Sequence, residues 1–195
     1  MNILTDRLPS VVSVNGIRYQ LETDYRAAVA FELLVDSGEE RLAELLKPFY
    51  PHGYPPNVEG AVEAALWFYR GGDDIPEATD KKEKKPRSYS FEVDAEVIFA
   101  DFWRYYKVDL SSENLHWWTF RALLAGLPDD SGYKQRIYYR TCDLKGLPKA
   151  EHARIKRIRK AIEITTEKRG RMTLEERNAL MLEYVSKRSE ETKGV

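Results

Sequence analysis

Hydrophobic positions along this chain recur mostly at helical spacing, and the one clear alternation lies near the start. Val12 to Val14 and Ile17 to Tyr19 flank Asn15-Gly16, the dipeptide that supplies two positive φ angles to a type I′ turn. The pattern predicts a small β-hairpin, with Leu21 continuing its second strand. A lone two-stranded hairpin is marginal in water, so one face of it should lie against helices.

Thr23 or Asp24 suits the N-cap of a first helix, Tyr25 to Val35, which is apolar nearly all round and therefore expected to be central. A second helix from Glu39 places Leu42, Leu45, Leu46 and Phe49 on one side and stops at Pro48 and Pro51. Asn57 caps a third, in which Val58, Ala61, Val62, Ala65, Leu66 and Tyr69 keep the i, i+3, i+4, i+7 rule before Gly71-Gly72 ends it. From Asp73 to Ser90 the chain is charged, carries two prolines and has little to bury, which predicts a solvated, mobile loop.

Asp94 is placed to cap a fourth helix, with Ala95, Ile98, Phe99, Phe102, Trp103 and Tyr106 on one stripe. A fifth is expected from about Ser111, carrying Leu115, Trp118, Ala122 and Leu123, and closed by Gly126 and Pro128. A sixth holds Tyr133, Ile137 and Tyr138, and a seventh after Pro148 aligns Ile155, Ile158 and Ile162. The capping box from Thr173 to Glu176 opens a last helix with Leu174, Met181 and Val185. The fold class that follows is mainly α: a multi-helix globular domain over 1–148 with a small N-terminal β-hairpin, then a basic helical extension over 149–195.

Charge changes this picture only at the C-terminal end. The whole chain carries a net −1, but residues 1–148 hold 18 basic and 24 acidic side chains, while 149–195 hold 13 and 8. That imbalance suits an acidic partner and falls short of the strongly basic stripe of a dedicated nucleic-acid binder. No apolar run approaches the roughly 20 residues needed to span a bilayer, and the opening MNILTDRLPSVV lacks the layout of a secretory signal, so no membrane partner and no export are expected. Cys142 is the only cysteine, which excludes an intrachain disulfide and suits a reducing cytoplasm.

Candidate chemistry is thin. His52, His116 and His152 show no metal-ligand spacing, Cys142 reads as a small core filler, and the glycine pairs follow helical stripes rather than forming a phosphate loop. No catalytic residue, cofactor or metal is expected. The most concentrated feature is Leu115-His116-Trp117-Trp118-Thr119-Phe120. Neighbouring helical residues point about 100° apart, so the two tryptophans should not share one narrow seam. Either Trp118 lies in the core and Trp117 packs on a neighbouring aromatic helix, or Trp117 is an exposed anchor for a partner. The second feature is the basic run Arg154, Lys156, Arg157, Arg159 and Lys160, continuing to Lys168, Arg169 and Arg171. It reads as a solvated face, a surface for an acidic protein or, least favoured because stacking aromatics are missing, a phosphate-backbone contact.

An ordered set of segments carries a family resemblance: LTDRLPSVVSVNGIRYQLETDYR, ALWFYRGG, FEVDAEVIFADFWRYYKVDL, LHWWTFRALLAGLP and, more weakly, YYRTCDL. Together they resemble the "gp-fifteen" proteins of tailed bacteriophages and prophages of Gram-positive bacteria, from residue 3 to about 144, and fade after residue 150. The resemblance implies a non-catalytic tail-morphogenesis role in the cytoplasm of the bacterial host, as a tail assembly chaperone. Its expected partners are the tape-measure protein and possibly the tail tube protein, with self-association open. A minor virion component and a nucleic-acid-associated protein using the basic helix are the alternatives. Trp117, Trp118, Trp103, Phe102 and Tyr106 are the expected partner-binding or core-organising side chains.

Overall fold

The computed structural model describes residues 2–73 and 87–164. Most of the charged loop, the helix expected after Thr173, and Lys168, Arg169 and Arg171 therefore lie outside the described residues. Within them the fold is mainly α with one antiparallel hairpin, and it divides into two compact units: residues 2–73 with 115–120, and residues 87–114 with 121–164.

In the first unit, β1 (Val11–Val14) pairs with β2 (Ile17–Gln20) in the register Val14↔Ile17 to Val11↔Gln20. Asn15 (φ 52°) and Gly16 (φ 78°) take the left-handed conformations expected of the turn. Leu21 carries the pairing one step further, its amide donating to Ser10 O at 2.9 Å. Val12 and Val14 are buried, whereas Ile17 is exposed, so the hairpin does put one face on a helix. That helix is α3, and Val14 sits so close to Gly60 that a Cβ added there would meet its Cγ1 at 2.6 Å.

Helix α1 (Tyr25–Asp36) is capped by Asp24, whose carboxylate accepts from the Arg26 amide. It is less enclosed than its composition suggests: Tyr25, Ala27, Ala28, Phe31 and Glu32 are buried, but Leu33 is exposed. The buried Glu32 accepts a short hydrogen bond from the Tyr69 hydroxyl, so the inward face of α1 is part polar. Helix α2 (Leu42–Leu46) starts later than expected because the side chain of Glu39 binds the amide and guanidinium of Arg41 and holds a turn there. Phe49 and Tyr50 follow it into the core, and the Tyr50 hydroxyl donates to Ala61 O. Helix α3 (Val58–Tyr69), capped by Asn57 Oδ1, buries the expected stripe of Ala61, Val62, Ala65, Leu66 and Tyr69, plus Phe68.

In the second unit, α4 (Ala95–Asp101) runs into a π-helical turn (Phe102–Tyr106) that ends at Lys107 in the left-handed region, φ 58°. Asp94 does not cap α4 with its side chain; two arginines take its carboxylate instead. Helix α5 (Trp117–Ala125) begins six residues later than the expected Ser111. Its preceding backbone is already committed to an antiparallel bridge, in which the Tyr25 amide donates to Leu115 O and the Trp117 amide to Thr23 O, both at 2.8 Å. Residues up to Phe120 belong to the first unit and those from Arg121 to the second. Helix α6 (Gly132–Thr141) is capped by Ser131 and by Asp101, whose carboxylate accepts from the Gly132 and Tyr133 amides. Helix α7 (Lys149–Ala161) starts after Pro148 as expected and buries Ile155.

Candidate partner-binding surface

The five aromatic residues singled out above divide between the units and between two kinds of environment. Trp117 and Trp118 are 4% and 6% exposed. Both indole N–H groups donate at 2.7 Å to successive backbone carbonyls, Trp117 to Tyr69 O and Trp118 to Phe68 O. These are carbonyls of the last turn of α3, where intrahelical donors run out, so the tryptophan pair finishes the C-terminal end of that helix. Trp118 lies in the core and Trp117 packs on the aromatic end of α3, so neither is an exposed anchor. Both are enclosed because their partners lie on two sides: Trp117 stacks between Tyr69 and Phe120, and Trp118 packs on Trp67 and Phe68. Gly72, at φ +87°, lies under the Trp118 ring, where a Cβ would come within 2.8 Å of Cη2.

His116 completes this clasp. Its Nδ1 accepts from the Trp118 amide, which leaves the proton on Nε2 to donate to Pro9 O at 3.0 Å. Burial pushes its pKa below the ordinary imidazole value, with the Pro9 contact a smaller opposing influence. The histidine is therefore a neutral structural connector. Residues 115–120 tie together Pro9, the start of α1 and the end of α3.

The other three aromatic residues belong to the second unit. Phe102 is fully buried, and Tyr106 is half-buried with its hydroxyl donating to Leu123 O at 2.7 Å. Trp103 is 54% exposed, and Phe99, one turn before it, is 41% exposed. The expected stripe of α4 is thus split: Ile98 and Phe102 face inward, while Ala95, Phe99 and Trp103 face outward. Spacing placed Phe99 on that stripe without deciding which way it faces; its exposure makes it, with Trp103, an outward apolar ridge.

The basic helix is also divided in its work. Arg159 is half-buried and donates to Tyr139 O and Cys142 O, closing the C-terminal end of α6. Arg154 pairs with Glu151 at 3.2 Å and reaches the Tyr139 hydroxyl. Lys156, Arg157 and Lys160 are exposed. Cys142 is a half-buried free thiol.

Spacing gave no sign of the buried ion cluster of this unit. Asp94, fully buried, receives Arg140 through both carboxylate oxygens (2.6 and 2.8 Å) and Arg136 at 2.7 Å, with the Ser90 amide at 3.0 Å. Burial by itself raises a carboxyl pKa, but these donors outweigh it and hold Asp94 below its usual value. Arg140 also donates to Ser88 O and Ile162 O, so the cluster ties α4, α6 and the end of α7 together around one charge. Each of its three charged side chains has a structural partner. Among the described residues no group of three or more His, Cys, Asp or Glu converges as a metal site, and no helix is long and apolar enough to cross a membrane.

A family model described as Bacteriophage Gp15 protein matches residues 4–164. The chain belongs to that family. For a Gp15 protein the coarse functional class is a phage structural or morphogenesis protein. The match runs past residue 150, where the resemblance was expected to fade, and takes in the whole of α7 with its basic residues. Neither curated proteins nor solved structures offer a match to this Gp15 chain.

Proposed function

We propose that this Gp15-family protein is a non-catalytic tail assembly chaperone, working in the cytoplasm of the bacterial host and covering apolar helices of the tape-measure protein until the tail tube encloses them. The observation that carries this reading is the outward pair Phe99 and Trp103, one helical turn apart on α4 and its π-helical extension. Large aromatics left in water on a helix face give a long apolar helix a place to dock by helix-in-groove contacts. A tape-measure helix whose apolar stripe awaits its tube subunits has matching chemistry and would aggregate if uncovered. The enclosure of Trp117, Trp118 and Phe102 leaves Trp103, with Phe99 one turn before it, as the exposed member of the aromatic set singled out from the sequence.

The test is co-expression with the tape-measure protein encoded nearby. Wild type is expected to keep the tape measure soluble and to co-purify with it, and the Phe99→Ser/Trp103→Ser double variant to lose both while staying folded by circular dichroism. Retention of the protein at fixed stoichiometry in purified phage particles, without any effect on tape-measure solubility, would sink the chaperone reading in favour of a minor virion component.

A further inference from the structure

We propose that the groove between β1 and α3 receives an extended, lysine- or arginine-bearing segment of a partner protein as a third strand on β1. The groove encloses about 610 Å³, and among the described residues its β wall is formed by residues 11–15, with no contribution from β2. It therefore follows the edge of β1 that faces away from the hairpin partner. The hydrogen-bonding phase of that edge is set by the turn. A two-residue turn makes Val14 and Ile17 a hydrogen-bonded pair, alternation makes Val12 and Tyr19 the next, and the Leu21 amide on Ser10 O continues the series. The main-chain N–H and C=O of Val11 and Ser13 consequently point into the groove. Among the described residues no other strand pairs with this edge, and an open strand edge is a template for another strand.

The opposite wall tells what that strand should carry. Glu59, Glu63 and Trp67 recur every fourth residue along α3, with Gly60 and Ala64 keeping the floor low. The two glutamates are exposed and Trp67 is half-buried. β1 and α3 lie alongside each other, Asn15 meeting Asn57 at 3.2 Å and Val14 touching Gly60. Residues four apart on a helix are separated by about 6 Å along its axis, and alternate residues on a strand by about 6.7 Å. A strand with a basic residue at every second position thus keeps step with Glu59 and Glu63, and a third basic side chain would lie over the Trp67 ring. The groove belongs to a different unit from Phe99 and Trp103, so this inference stands or falls separately from the tape-measure reading.

The experiment titrates the full chain with an acetylated Lys-Val-Lys-Val-Lys-Val peptide by calorimetry, with amide exchange followed by NMR. Binding is expected to protect the Val11 and Ser13 amides, to weaken with salt, and to be absent for Glu-Val-Glu-Val-Glu-Val. Glu59→Gln/Glu63→Gln, a surface change that leaves packing intact, should weaken it about tenfold, as loss of two partly exposed ion pairs implies. Ser13→Pro, which removes an outward donor, should abolish it. Absence of binding, or binding equally tight in the glutamine variant, overturns the proposal. So does self-association of the wild type that Ser13→Pro removes, because the occupant of the edge is then a second copy of this chain.

Discussion

The two units solve the same problem, closing helix ends inside a core, with opposite materials. In the clasp of the first, indole N–H groups and a neutral imidazole meet backbone carbonyls, and the polar work there is done by side chains that are otherwise apolar. In the second, carboxylates and guanidinium groups do it: Asp101 holds the start of α6, Arg159 its end, and Asp94 with Arg140 the space between helices. The difference teaches where each unit is fragile. An aromatic clasp loses packing when it is cut, whereas a buried ion cluster keeps a charge in the interior with fewer partners to hold it.

Cutting the ion cluster should have the largest effect. Arg140→Met leaves the buried Asp94 with Arg136 as its remaining guanidinium partner, and a loss of about 3–5 kcal/mol is expected in urea unfolding. Hydrogen exchange should localise that loss to α4, α6 and α7. Replacing Asp94 and Arg140 together by Leu and Met should recover part of it, because no fully buried charge then remains and Arg136, 28% exposed, reaches water. The matching cut in the first unit is Trp117→Phe, which keeps a ring but removes the donor to Tyr69 O; about 1–3 kcal/mol is expected, with exchange rising around α3 and the hairpin.

Acid should sharpen the contrast. His116 is held below the ordinary imidazole pKa of about 6.5, so the unfolded chain takes up its proton first. Stability is unaffected by this group above that pH and falls as pH drops through and below it. His116→Gln should flatten the dependence between about pH 7 and pH 5. Asp94, whose pKa is depressed, acts lower: its contribution is complete above the usual carboxylate range and disappears as pH falls through its folded value, so Asp94→Asn alters the profile only in stronger acid. The smallest effect belongs to Trp103→Ser, within about 0.5 kcal/mol of wild type in urea unfolding because the ring is already in water.

Much of this fold could be read from spacing. The hairpin, α3 and α7 came from the Asn15-Gly16 turn, the stripe ending at Tyr69 and the start after Pro148. Long-range polar contacts were not legible in that way. Asp94 has the position of a cap, and nothing local shows that Arg140, 46 residues away, takes its carboxylate. Similarly, the start of α5 moved because the backbone of residues 115–117 is shared with Thr23 and Tyr25, a contact with no sequence signature. Spacing could not sort the aromatic candidates between core and surface. A π-helical turn at Phe102–Tyr106 interrupts the regular period, and the inward or outward direction of Phe99 and Trp103 depends on which neighbours the helix meets.

The clasp at residues 115–120 also sets an order of events during synthesis. The Trp117 and Trp118 donors lie 48 and 50 residues beyond the carbonyls they close. At translation rates of about 5–20 residues per second, the hairpin and α1 to α3 wait roughly 2–10 s for them. The last turn of α3 is nascent chain without its lock during that interval, and most of the intervening sequence belongs to the other unit. Of the two units, the one whose synthesis starts first is therefore locked only after much of the other has been made.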